Sequence, residues 1–205
     1  MTGAGARPEL VALRVADPAE RWEELGFAVT TGSARLGGVT VELGVPGSGI
    51  TGWRLSCAAR GATIDGLPTE IEDAPPPAPA QSHPNGATGI DHVVVITPAF
   101  DRTAAALTAA GMPLRRIRDA PGGFRQGFRR LGPAILELVE RHDADAEEAR
   151  FWGLVVVVSD LEALAARLGD RLGSIKPAVQ PGRRIATLRP SAGLGEAVAF
   201  MSEEP

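Results

Sequence analysis

A pattern written three times constrains this chain more than any other feature. A short apolar strand, a capped helix ending at glycine and two or three further strand-like stretches recur at near-constant spacing. The opening strands are ELVALRV (9–15), HVVVI (92–96) and GLVVVV (153–158). Helix starts follow each. Asp17-Pro18-Ala19-Glu20 offers a capping aspartate, a proline at the first helical position and a glutamate three residues beyond the cap. Ser159-Asp160-Leu161-Glu162 repeats that spacing, and Asp101 serves the middle copy. In the third helix Leu161, Leu164, Ala165 and Leu168 make one apolar stripe to lie on a sheet. Gly26, Gly111 and Gly169 stop the helices, because glycine turns left-handed without strain. Each copy therefore reads β-α-β-β-β, and the fold class is α+β.

The closing stretches of the first copy are AVTTGSARLG, GVTVELGV and ITGWRLSC, so that copy spans 8–60. Residues 61–87 read as a linker, their prolines and small polar residues having nothing to bury, and His83 within them is expected to be solvated. The second and third copies, 88–142 and 150–202, are joined by the short acidic RHDADAEEAR and form one domain over 88–202.

The first copy has no mate in this scheme. Its strands carry Val11, Leu13, Val39, Val41, Trp53 and Leu55, an apolar face that needs a cover. The pattern predicts a homodimer. The chain has 205 residues, 44% of them hydrophobic, and a net charge of −4, which with 4% aromatics argues against nucleic acid as a partner. Cys57 is the single cysteine, so a disulfide framework is excluded, and its place in GWRLSCA predicts a buried thiol. The start lacks the apolar core of a signal peptide and no run is long enough to span a bilayer, which predicts a cytoplasmic protein without a membrane partner.

Two residues stand out against their strands. His92 heads DHVVVI, and Glu137 sits in the middle of AILELVE (134–140). Strand alternation puts His92, Val94 and Ile96 on one face, and Ile135, Glu137 and Val139 on one face of the other strand. A charge in such a place must be paired or bound to metal. One reading is a half-intact metal centre completed by His142, Glu140, Glu196 or another chain. The other is a His–Glu pair in which each group satisfies its partner, free to act as a general base or polar anchor. Arginines crowd the later hairpins. Arg125, Arg129 and Arg183 are the candidates to clamp an anionic ligand, with Gln126 and Gln180 adding hydrogen bonds and Trp152 lining the site.

Tandem β-α-β-β-β modules, with DHVVV opening one and ILELVE closing it, resemble the vicinal oxygen chelate superfamily of glyoxalases, extradiol dioxygenases, epimerases and drug-binding resistance proteins. The resemblance covers 88–202 best, as a complete two-module domain, and takes 9–58 as an extra N-terminal module. It implies a cleft between paired modules, with metal ligands on the first and last strand of each. On this chain those positions are His92 and Glu137 in the second module. They fall at Gly153 and Ala199 in the third, and near Leu10 and Leu55 in the first, none of which binds a metal. The resemblance thus implies a small-molecule cleft and lyase or isomerase chemistry around His92 and Glu137 if one divalent metal is recruited. The alternatives are a metal-free binding or sequestering protein of drug-resistance type, and a structural subunit with a degenerate site.

Overall fold

The computed structural model describes residues 7–59, 61, 63–73, 79–120, 122–142 and 146–204. Its second and third repeats follow the predicted grammar. The second runs β6 (Ala87–Thr97), α2 (Phe100–Ala109), β7 (Arg116–Ala120), β8 (Phe124–Leu131) and β9 (Ala134–Glu140), after an N-terminal part that holds β1 to β5 and α1. The third runs β10 (Arg150–Val158), α3 (Leu161–Leu168), β11 (Lys176–Pro177), β12 (Arg184–Thr187) and β13 (Ala197–Ser202). In each, the first strand pairs in parallel with the last, β6 with β9 and β10 with β13. The two units join through antiparallel β6 and β10, giving one sheet ordered β11-β12-β13-β10-β6-β9-β8-β7. Asp160 caps α3, its Oδ1 accepting from the Ala163 N–H at 2.9 Å.

The N-terminal part departs from the expected module. It holds β1 (Glu9–Val15), α1 (Ala19–Glu24), β2 (Ser33–Leu36), β3 (Val39–Glu42), β4 (Ile50–Ser56) and β5 (Thr69–Glu72). The strand parallel to β1 is β3, whereas β4 lies antiparallel to β1 and parallel to β5, giving the order β2-β3-β1-β4-β5. β1 and β4 thus stand to each other as β6 and β10 do. This small sheet is a trimmed version of the large one, and ITGWRLSC opens its second half instead of closing its first. Leu55 is accordingly not a closing-strand position.

β5 and its approach fall inside the stretch expected to be a linker. Ile64 and Leu67 are buried there, while the proline run at 74–78 lies outside the described residues. His83 is not solvated: its Nδ1 accepts the Ala28 N–H at 3.0 Å and its Nε2 lies 2.8 Å from the Arg35 carbonyl, tying the segment to the small sheet. Cys57 also differs from expectation. It sits one residue past β4, exposed, with φ of +58°.

One continuous core explains how the two sheets sit together. Leu13, Trp22, Trp53 and Leu55 of the small sheet and its helix share it with Val93, Leu136, Val156 and Phe200 of the large one. Trp53 meets Phe151 edge-on at 5.2 Å, and Phe27 stacks on Phe200 at 6.1 Å. The apolar face expected to call for a second chain is therefore covered within the chain, which removes the premise of the predicted homodimer. The opposite face of the small sheet carries the ion pairs Arg14–Glu70 (2.7 Å), Arg54–Glu42 and Arg54–Glu72 (3.5 Å). Among the described residues no helix is long and apolar enough to cross a membrane.

A second junction between the parts is polar. Asp17 does not cap α1; its Oδ1 accepts the Gly195 N–H at 2.9 Å instead. Glu196 follows, with both carboxyl oxygens buried and without a donor, as is Asp17 Oδ2. Burial first, and the facing Asp17 second, push the Glu196 carboxyl up to about 9. A proton held on Glu196 thus serves both side chains.

Candidate functional site

The large sheet encloses a cleft of about 320 Å³ on the side away from the shared core, and its floor is built from β6, β8 and β9. Val94 is aligned with Glu137 in the parallel β6–β9 pair, and Phe128 with Glu137 in β8–β9. Alternation then brings His92, Glu137 and Gln126 to the same floor, as the sequence pattern predicts for the first two. Apolar walls come from Val94, Ile96, Val139, Leu154, Ile185 and Ala199. Trp152 stands at the lining with 46% of its surface exposed.

Six side chains form one polar line across this floor, hydrogen-bonded at each link except that between His92 and Glu137, which is an ion-pair contact. Arg183 donates through Nη1 to Asp91 Oδ1 and through Nε to the Ser202 carbonyl at 2.8 Å. The other Asp91 oxygen lies 2.7 Å from His92 Nδ1. His92 Nε2 lies 3.2 Å from Glu137 Oε2, and Gln126 donates to Glu137 Oε1 at 3.0 Å. Arg118 in turn donates to Gln126 Oε1 at 2.9 Å, its guanidinium 5.0 Å above the Phe128 ring.

A β-bulge makes this line possible. His92 is opposite Val155 in β10, yet Ile90 is opposite Val156, so Asp91 is the extra residue. Without the bulge Asp91 would point away from His92's face. No feature of the sequence announces it, which is why Asp91 escapes a reading based on alternation. Arg118 and Arg141, the latter lining the cleft, escape for a plainer reason: nothing distinguishes them from the other hairpin arginines.

The electrostatics of the two carboxylates differ. Burial opposes ionisation of Asp91, but hydrogen bonds from His92 and Arg183 outweigh it and hold the carboxyl below its ordinary value. Burial dominates at Glu137 and raises its carboxyl, with His92 and Arg118 pulling the other way.

Three predicted ligand-clamping arginines lie elsewhere. Arg125 is on the opposite face of β8, where it bonds Glu140 (2.9 Å) and Asp101 (2.7 Å) and covers the Phe100 ring at 4.6 Å. Arg129 is on that same opposite face, aligned with Leu136. Arg183 is buried beneath the floor, where it fixes Asp91 and does not line the cleft. Gln180 likewise does not line it.

The donor set does not fit a metal centre. His92 and Glu137 supply one nitrogen and one carboxylate, fewer than the three protein ligands of catalytic zinc or the two histidines and carboxylate of non-haem iron. Among the described residues no three His, Cys, Asp or Glu side chains converge as a ligand set. Glu140 is spent on Arg125, Glu196 faces Asp17, and His142 lies past β9 with its ring 6.2 Å from Phe124. The register also explains the third module. Val155 is aligned with Ala199 as Val94 is with Glu137, which makes Gly153 the counterpart of His92. A Cβ on Gly153 would lie 2.0 Å from the Ala197 carbonyl oxygen, so backbone occupies that place and leaves no room for a ligating side chain.

A family model described as a glyoxalase-like domain matches residues 2–111, just over half of the chain. The match takes in the small sheet, β6 with His92 and α2, and ends before Glu137. Among solved structures, methylmalonyl-CoA epimerase from Mycobacterium tuberculosis is 23% identical, over 58% of this chain and 91% of that one, with a TM-score of 0.48. Streptomyces coelicolor methylmalonyl-CoA epimerase in complex with 2-nitronate-propionyl-CoA is 21% identical, over 58% of this chain and 99% of that one, with a TM-score of 0.47. No curated protein matches the chain.

Proposed function

Because the chain belongs to the glyoxalase-like domain family of the vicinal oxygen chelate superfamily, we propose that it binds a small organic molecule in its cleft without a metal. His92, Glu137 and Gln126 hold the polar end of that molecule. The observation that carries this reading is the 3.2 Å contact between His92 Nε2 and Glu137 Oε2 on the floor of an open cleft. The two groups that would ligate a metal lie against each other and both line the cleft. Apolar walls with a few convergent polar groups are the usual make-up of a small-molecule site. Gln126 and Arg141 complete the polar part of the lining, and the expected ligand is a small, anionic organic molecule. Lyase or isomerase chemistry, expected only with a recruited metal, has no ligand set behind it, and a collapsed structural subunit would not keep about 320 Å³ open.

Trp152 supplies the test. Trp22 and Trp53 are fully buried, so acrylamide quenching of tryptophan fluorescence reads mainly Trp152. Members of a fragment library that bind the cleft are expected to protect it. Ala199→Phe, which fills the space beside Met201 and Val155, should weaken those fragments about tenfold or more while leaving the protein folded. Fragments that bind the variant as well as the parent, or a library with no protecting member, would refute the proposal.

A further inference from the structure

The displaced Arg129 leads to a second site. At the end of β8, outside the cleft, a cavity of about 520 Å³ lies between the start of β1 and the β8–β9 hairpin. Arg7, Arg115, Arg129 and Arg130 line it, with Glu9 and Gly132. Arg129 is 8% exposed, its Nε is buried without a partner, and its one hydrogen bond is a long 3.4 Å contact from Nη1 to the Pro113 carbonyl. Among the described residues Arg130 bonds only the Gly132 carbonyl, at 3.3 Å. Among the described residues no carboxylate forms an ion pair with any of the four; Glu9 lies against Gly132 instead. Burial, and then the charges of Arg115 and Arg7, depress the Arg129 guanidinium below its ordinary value.

A guanidinium does not shed its proton in a protein. A buried one, facing further guanidiniums and no paired carboxylate, carries a cost that a bound anion removes. Four guanidiniums against one carboxylate leave an excess of three positive charges, which a compact anion of more than one charge matches best. The forked donors of arginine fit the oxygens of a phosphoryl group two at a time. The space exceeds what a bare oxyanion fills and falls within the range of small-molecule sites. We propose that this cavity binds a small phosphate ester, with Arg129 and Arg115 on the phosphoryl group and the organic body lying toward Glu9 and Gly132.

Titration calorimetry with glycerol 3-phosphate and with inorganic phosphate, at ionic strength held constant with chloride, tests this on the full chain. The ester is expected to bind one per chain and more tightly than the inorganic ion. Arg129→Met should weaken it about tenfold or more, as loss of charged hydrogen bonds does. The same variant should melt no lower than the parent in anion-free buffer, because an unpaired buried charge has been replaced by an apolar side chain of similar length. Arg115→Ala should weaken the ester in the same direction. Failure of both ligands to bind above chloride, or equal binding by Arg129→Met, overturns the site. Inorganic phosphate binding as tightly as the ester overturns the organic body.

Discussion

Replacing Asp91 by alanine is expected to destabilise the chain by about 3–5 kcal/mol, read as a lower urea midpoint at pH 7. Asp91 is the hinge of the polar line, taking Arg183 on one oxygen and His92 on the other. The Arg183 side chain is 5% exposed, so it cannot turn to water when its partner is removed. An uncompensated buried charge is the costly outcome; the pair itself contributes much less. By contrast the Arg14–Glu70 pair has side chains 39% and 56% exposed, where such contacts contribute about 0–1 kcal/mol. The double variant Asp91→Ala/Arg183→Met should recover most of the loss, since it buries no charge. A midpoint unchanged in the single variant would mean that Arg183 reaches solvent, and the described line would be wrong.

The second large effect is on pH. Glu196 is raised from 4.5 to about 9 by burial and by Asp17. The folded state therefore holds a proton that the unfolded state has released at every pH between those values. The contribution of this group to stability is complete below about pH 4.5 and falls as pH rises toward 9. At pH 7 the loss amounts to at most roughly 3 kcal/mol. Glu196→Gln keeps a neutral group that can donate to Asp17 Oδ2 and has no proton to lose. It should melt like the parent near pH 4.5 and on the order of 5–10 °C higher at pH 8. Melting curves that stay parallel across this range would contradict a shared proton at the junction between β1's connection to α1 and the β12–β13 loop.

Much of this architecture is legible in the sequence, and the failures have physical causes. The second and third modules follow from strand–helix–glycine punctuation, because each of those signals is local. The small sheet does not. Whether GVTVELGV or ITGWRLSC closes the first module depends on which one lies parallel to β1, a pairing that no local propensity encodes. The linker misled for a related reason. Its prolines read as extended chain, yet Ile64 and Leu67 join the common core and His83 finds partners far away in sequence. His92 and Glu137 were legible because a polar residue in an aliphatic strand is conspicuous. Arg125 and Arg129 were misplaced because the strand carries arginine at both 129 and 130, so period two could not tell its faces apart. Asp91 waited on the bulge.

The central claim is that His92 and Glu137 anchor a ligand and do not hold a metal. The most direct test is elemental mass spectrometry of untagged protein after incubation with zinc, manganese and iron and removal of excess ions, beside a His92→Ala/Glu137→Ala variant. Well under one metal per chain is expected in the parent, at the same level as in the variant. One metal per chain in the parent, lost in the variant, would contradict it and require a third ligand at the cleft floor.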